Sequence, residues 1–143
     1  MSRTVVIDTN IFVSTLMKAD TAPREIFRLC FEGKVQPVIG NALLCEYEDL
    51  LTRQDIFARC NLSTDERYDF LCDFTSVCKW ISIYYLWRPN LQDEADNHLI
   101  ELAVAGNADY IITGNIRDFE ETDLVFPDIR ITTASEFLKE RRS

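Results

Sequence analysis

Along the 143 residues, short β-branched runs alternate with longer stretches in which apolar residues recur three and four positions apart. That alternation predicts a parallel sheet wrapped by helices. Strands are expected at Thr4–Ile7, Gln36–Ile39, Trp80–Tyr84, Tyr110–Thr113 and Ile129–Thr132. Helices are expected at Ile11–Lys18, Pro23–Glu32, Ala42–Thr52, Asp65–Cys78, Glu94–Ala105 and Ser135–Arg141. Boundary signals agree with several of these. Asn41 is placed as an N-cap, Ser63 and Glu66 have capping-box spacing, Pro23 sits in a first turn, and Gly33 and Gly106 fall where helices should stop. Only Gln54–Leu62 follows neither period clearly, and no internal repeat is visible.

The length is that of one domain spanning residues 1–143, with no room for a second core. With 47% hydrophobic and 27% charged residues and only 4 Gly and 4 Pro, disordered and low-complexity classes are excluded. A chain of this size should bury about two-thirds of its unfolded surface, enough for a core without staples. The cysteines (Cys30, Cys45, Cys60, Cys72 and Cys78) are odd in number and form no CxxC pair. They read as reduced core thiols, which points to the cytoplasm. His98 is the sole histidine, so a structural zinc site is not expected. Neither a signal-peptide h-region nor an apolar run of the roughly 20 residues a membrane span needs is present, so no membrane association is expected. Asp and Glu number 24 against 15 Lys and Arg, for a net charge of −9. Such a surface repels polyanions and lacks the basic footprint of a protein that grips phosphates. Any nucleic acid would have to be met at a metal.

The carboxylates carry the candidate chemistry. VVID ends a buried strand on Asp8, and ligands of open α/β sheets bind at the carboxyl ends of strands. On the helix from Glu94, Leu99, Ile100 and Ala103 share one face, and Asp96 falls within it. An acid there must be paired, hydrogen-bonded or metal-bound, because leaving it bare costs several kcal/mol. A plainer account has Asp96 satisfying the helix N-terminus with Asp93 as cap. Glu46 and Glu48 flank the apolar stripe of the helix from Ala42 on opposite edges, and periodicity does not choose between them. After the strand YIIT, the loop TGNIRDF carries Asn115 and Asp118, with Gly114 allowing a turn and close approach to a ligand. Carboxylates converging on one sheet edge stay ionised together only when cations neutralise them. Oxygen ligands without His or Cys select Mg²⁺ or Mn²⁺. Such ions activate water and stabilise charge on a phosphoryl oxygen.

In order, VVIDTNIFVS, NALLCEYEDLL and DEADNHLIELAVAGNADYIITGN resemble the motifs of the PIN-domain nucleases over nearly the whole chain, closest to the single-domain prokaryotic type that forms the toxin half of toxin–antitoxin pairs. The resemblance implies a three-layer α/β/α sandwich with a five-stranded parallel sheet of order 3-2-1-4-5. It also implies a Mg²⁺- or Mn²⁺-dependent endoribonuclease acting on single-stranded RNA by in-line attack of water, leaving a 5′-phosphate. It makes Asp8, Glu46, Asp96 and Asp118 the catalytic and metal-binding acids, selecting Glu46 over Glu48. Many members carry Asp where Asn115 stands; here the acid comes three residues later. Asn10, Thr113, Asn115 and Asp93 become supporting residues, with Asn10 orienting Asp8 or a metal-bound water. His98, about 200° from Asp96 around the helix, should face solvent. Transition-state charge would fall on the metal or on arginines such as Arg88 and Arg117. A toxin role implies a protein antitoxin and a homodimer, with the apolar stretch Ile83–Trp87 as an interface if it is not simply a strand. Two rivals remain. A haloacid-dehalogenase-like hydrolase would need an acid at Asn10 and a lysine before the last acidic motif, and lacks both. A PIN-like module without catalysis would differ by not binding Mn²⁺.

Overall fold

The computed structural model describes residues 3–17, 21–53, 55–58, 60, 62–82, 94–114, 116 and 129–142. Among these residues five strands, β1 (Arg3–Ile7), β2 (Val35–Ile39), β3 (Lys79–Trp80), β4 (Tyr110–Ile112) and β5 (Arg130–Thr132), are interspersed with six helices. These are α1 (Thr9–Met17), α2 (Ala22–Phe31), α3 (Asn41–Leu51), α4 (Thr64–Val77), α5 (Glu94–Ala105) and α6 (Ala134–Arg142). The strands form one sheet in the expected order 3-2-1-4-5, and every pairing is parallel. β1 lies at the centre, with Val5 opposite both Pro37 of β2 and Tyr110 of β4, and its Val5-Val6-Ile7 run is buried. Parallel strands covered on both faces read as unbroken apolar runs. Around the sheet, α2 packs against β2, α1, α4 and α6, and α5 against β1, β2 and β4. With right-handed crossovers, the reversal of chain direction across the sheet puts α5 on the face opposite α1–α4, giving three layers.

The element boundaries explain several departures from expectation. β3 begins one residue early, and Ile81 and Ser82 lie outside it, although the Ile81 N–H still donates to the Ile39 carbonyl at 2.9 Å. The rest of the expected strand, and the stretch to Trp87, lie outside the described residues. Gly40, not Asn41, is the N-cap of α3. A Cβ at position 40 would sit 3.2 Å from the Ile81 carbonyl oxygen and 3.3 Å from Leu102 Cδ1, so the cap is pressed against neighbours that leave little room for a capping side chain. α2 ends as expected at Gly33, whose φ of +77° suits a residue without Cβ. Gly33 N–H donates to Cys30 and Lys34 N–H to Leu29, a Schellman closure. α5 stops as expected before Gly106, and the left-handed residue is the next one, Asn107, φ +57°. Gly106 serves close packing instead, since its Cβ would meet Ile81 and Val38 side chains at 3.2 and 3.3 Å.

The Ser63–Glu66 capping box of α4 is complete: Glu66 N–H donates to Ser63 Oγ at 3.2 Å and Ser63 N–H to Glu66 Oε1 at 3.0 Å. Ser63→Ala should therefore cost about 1 kcal/mol, read as a lower urea midpoint at unchanged m-value; an unchanged midpoint would show the cap to be idle.

Aromatic rings fill the layer between α1, α2, α3 and α4. Phe12 stacks on Tyr47 with centroids 4.7 Å apart, and Phe27 meets Phe74 edge-on at 4.7 Å, arrangements worth about 0.5–1.5 kcal/mol beyond their buried area. The cysteines are unpaired. Cys30 is buried, and burial pushes its thiol up to about 12, so it is inert. Cys45 and Cys72, expected in the core, are exposed, because each falls on the solvent edge of an amphipathic helix. Among the described residues no helix is long and apolar enough to cross a membrane.

Candidate active site

The strand order reverses between β1 and β4, the kind of switch point at which open α/β sheets form a crevice outside the strands' carboxyl ends. Asp8 is the first residue after β1 and Thr113 the first after β4, and both are buried. α1 starts directly at Thr9, two residues earlier than expected. The Asp8 carbonyl accepts from the Ile11 and Phe12 N–H groups, so backbone and side chain both serve the helix start. Asp8 Oδ1 accepts from Thr9 N–H at 2.7 Å. Its Oδ2 accepts from the Thr113 hydroxyl at 2.7 Å and from Asn10 Nδ2 at 3.4 Å. Asn10 Oδ1 in turn accepts from Gly114 N–H at 3.0 Å. A Cβ on Gly114 would meet Asn10 at 3.5 Å, an ordinary contact, so close approach at this loop does not demand glycine.

Glu46 arrives from α3. The next residue, Tyr47, is fully buried, stacks on Phe12, and donates its hydroxyl to the Ile7 carbonyl. That bond ties α3 to the last residue of β1, immediately before Asp8. One position earlier on the same helix, Glu46 is thereby turned toward the carboxyl edge. The Thr9 hydroxyl lies 3.3 Å from Asp8 Oδ1 and 3.4 Å from Glu46 Oε1, and its single proton can serve one of them at a time. Of the two glutamates that periodicity left open, Glu46 contacts Thr9 and His98, whereas Glu48 is exposed.

His98 contradicts expectation. It is half-buried rather than solvent-facing, and its Nε2 lies 2.5 Å from Glu46 Oε2. The expectation assumed one buried face on α5. In fact Glu101 and Leu102 are buried together with Leu99, Ile100 and Ala103, because α5 contacts α3 as well as the sheet. Thr9 and His98 are the polar residues of the site that the sequence did not mark. Thr9 stood in view within DTN, whereas nothing along α5 announced a second buried side.

Of the other candidates, Asp96 lies in the first turn of α5, with its side chain outside the described residues. Asp93, Asn115, Asp118, Arg88 and Arg117 lie outside them altogether. The described part of the site is a pair of carboxylates in contact with one hydroxyl. Desolvation, offset in part by the Thr113 and Thr9 hydrogen bonds and reinforced by the Glu46 charge, raises the Asp8 carboxyl above its ordinary value. Oxygen donors whose charges oppose each other suit a hard divalent cation. Among the described residues no group of three or more His, Cys, Asp or Glu is placed so that it could hold a metal ion.

A family model described as a PIN domain matches residues 4–117. The chain belongs to the PIN-domain family. PIN domains are nucleases, and in this one Asp8 and Glu46 come together at the sheet edge. One solved structure similar to this PIN domain is described as VapBC2 from Rickettsia felis bound to a DNA fragment from their promoter. The match has a TM-score of 0.57 and 17% identity over 90% of this chain and 96% of that one, which shows likeness of fold. Comparison with curated proteins finds no significant match.

Proposed function

We propose that this PIN domain is a Mg²⁺- or Mn²⁺-dependent endoribonuclease of single-stranded RNA and the toxin of a toxin–antitoxin pair. The observation that carries the catalytic reading is the meeting of Asp8 and Glu46, from β1's end and from α3, at the switch point of the sheet. In this reading Asp8, Glu46, Asp96 and Asp118 hold the cation, and Asp93 and Asn115 support them. When bound, the cation supplies activation of water and stabilisation of the developing phosphoryl charge. The chain's own contribution is to hold the carboxylates. Thr113 and Asn10 fix one oxygen of Asp8, Thr9 fixes the other, and Tyr47 sets the reach of Glu46. The net charge of −9 favours a substrate met at the cation rather than along a basic track. The Rickettsia felis neighbour is VapBC2 bound to a promoter DNA fragment, a likeness of fold that favours a protein antitoxin as partner; a homodimer and a cytoplasmic setting complete the proposal.

The test is cleavage of single-stranded RNA, structured RNA and single-stranded DNA with Mn²⁺ or Mg²⁺ against EDTA, beside Asp96→Asn. Metal-dependent cutting of single-stranded RNA that vanishes in the variant is expected. No cutting by the unaltered protein, together with no calorimetric Mn²⁺ binding, would leave a PIN fold without catalysis.

A further inference from the structure

Glu46 is the more loosely held of the two described carboxylates. Its side chain is 36% exposed against 18% for His98, and it reaches the site on a flexible stem whose rotamer freedom must be restrained. Two contacts restrain it: Oε1 with the Thr9 hydroxyl at 3.4 Å, and Oε2 with His98 Nε2 at 2.5 Å. The Thr9 contact is long and shared with Asp8. The imidazole contact is short and unshared, and among the described residues the other ring nitrogen, Nδ1, is buried without a hydrogen-bond partner. The ring's described polar interaction is therefore wholly with Glu46.

We propose that His98 is a positioning residue, holding one oxygen of Glu46 so that the other faces Asp8 and the cation. This deepens the nuclease reading and rests on it for the cation, though not for the contact itself. Residues that hydrogen-bond a metal-binding carboxylate set its orientation, and losing them typically costs 10- to 100-fold in metal affinity. His98 is carried on the same helix as Asp96, two residues on, so α5 would set two acids at once, one directly and one through the imidazole.

The experiment uses the full chain and has two readouts. Since His98 is the only histidine, the metal-free protein has one imidazole in a ¹⁵N spectrum. At fixed pH, Glu46→Gln should shift the Nε2 resonance by several ppm while leaving the amide spectrum folded. An imidazole indifferent to Glu46→Gln overturns the proposal whether or not the protein binds metal. The second readout is the Mn²⁺ dissociation constant by calorimetry. His98→Leu, which keeps apolar volume beside α3, should weaken binding 10- to 100-fold. His98→Gln, whose amide can still donate to Glu46, should recover much of the loss. In the Glu46→Gln background, His98→Leu should add less than about threefold. Equal Mn²⁺ affinity in His98→Leu and the unaltered protein, or full additivity with Glu46→Gln, overturns the positioning role. Absence of Mn²⁺ binding by the unaltered protein would instead defeat the nuclease reading, with the imidazole shift still deciding whether His98 holds Glu46.

Discussion

Asp8→Asn is expected to lower metal-dependent RNA cleavage at least about a thousandfold, equivalent to ~4 kcal/mol of lost transition-state stabilisation, while leaving the metal-free protein as stable as before or more so. The two halves of that expectation share one cause. Asp8 is buried after β1, and desolvation, the largest influence on its carboxyl, raises its affinity for a proton. With the folded-state value above the unfolded one, the native protein binds this proton more tightly. The resulting stability is fully present below the ordinary carboxylate range and is lost as pH rises through the folded value. At neutral pH the ionised group is a net cost that a divalent cation would relieve. Asparagine removes the charge, and the Thr113 hydroxyl that donates to Asp8 Oδ2 can accept from the new amide instead. Denaturation in EDTA should place Asp8→Asn at or above the unaltered protein at pH 7, with the gap closing toward pH 4. Excess Mn²⁺ should then stabilise the unaltered protein only, by about 2.7 kcal/mol at a hundred times the dissociation constant, read as a higher melting temperature. A variant that cuts RNA normally, or one strongly destabilised at pH 7, would remove Asp8 from the centre of the site.

Tyr47→Ala is expected to destabilise the fold by about 3–5 kcal/mol, a fall in melting temperature on the order of 10 °C for a domain of this size. Tyr47 is fully buried, stacks on Phe12 at 4.7 Å and meets Phe74 edge-on at 6.1 Å, so truncation opens a cavity where α1, α3 and α4 converge. Tyr47→Phe separates packing from polarity. The ring remains, but the hydroxyl bond to the Ile7 carbonyl is lost, at a cost of about 1 kcal/mol and up to ~3 if that carbonyl is left unpaired. Because this bond ties α3 to the residue before Asp8, Tyr47→Phe should lose several-fold in Mn²⁺ affinity even at temperatures where the fold is intact. Thermal melts with calorimetry at 15 °C check both. A Phe variant with unchanged stability and unchanged Mn²⁺ binding would show that the hydroxyl bond neither holds the sheet edge nor sets Glu46.

The layout of elements and the acid at the end of β1 were legible along the chain. Val5-Val6-Ile7 ending on Asp8, the Ser63 capping box and the Gly33 stop are local: each is set by side-chain period or by one residue's conformational freedom, and those properties are present in the chain before it folds. The ordered motifs around Asp8, Glu46 and Asp96 likewise carried the resemblance, and the family model confirms that membership over residues 4–117. Which polar groups share a space follows instead from packing between elements. Glu46 and Glu48 are equivalent along α3, and the distinction between them is that Glu46 contacts Thr9 and His98. His98 seemed to face outward because helical period assumes one buried side, whereas α5 is enclosed by the sheet and by α3. Gly40 and Gly106 sit where Ile81, Leu102 and Val38 leave little space for a Cβ, a closeness that no helical period records. Periodicity records a residue's angle about its own axis. Contact between elements depends on where a second axis lies, and only the packed sheet and helices establish that.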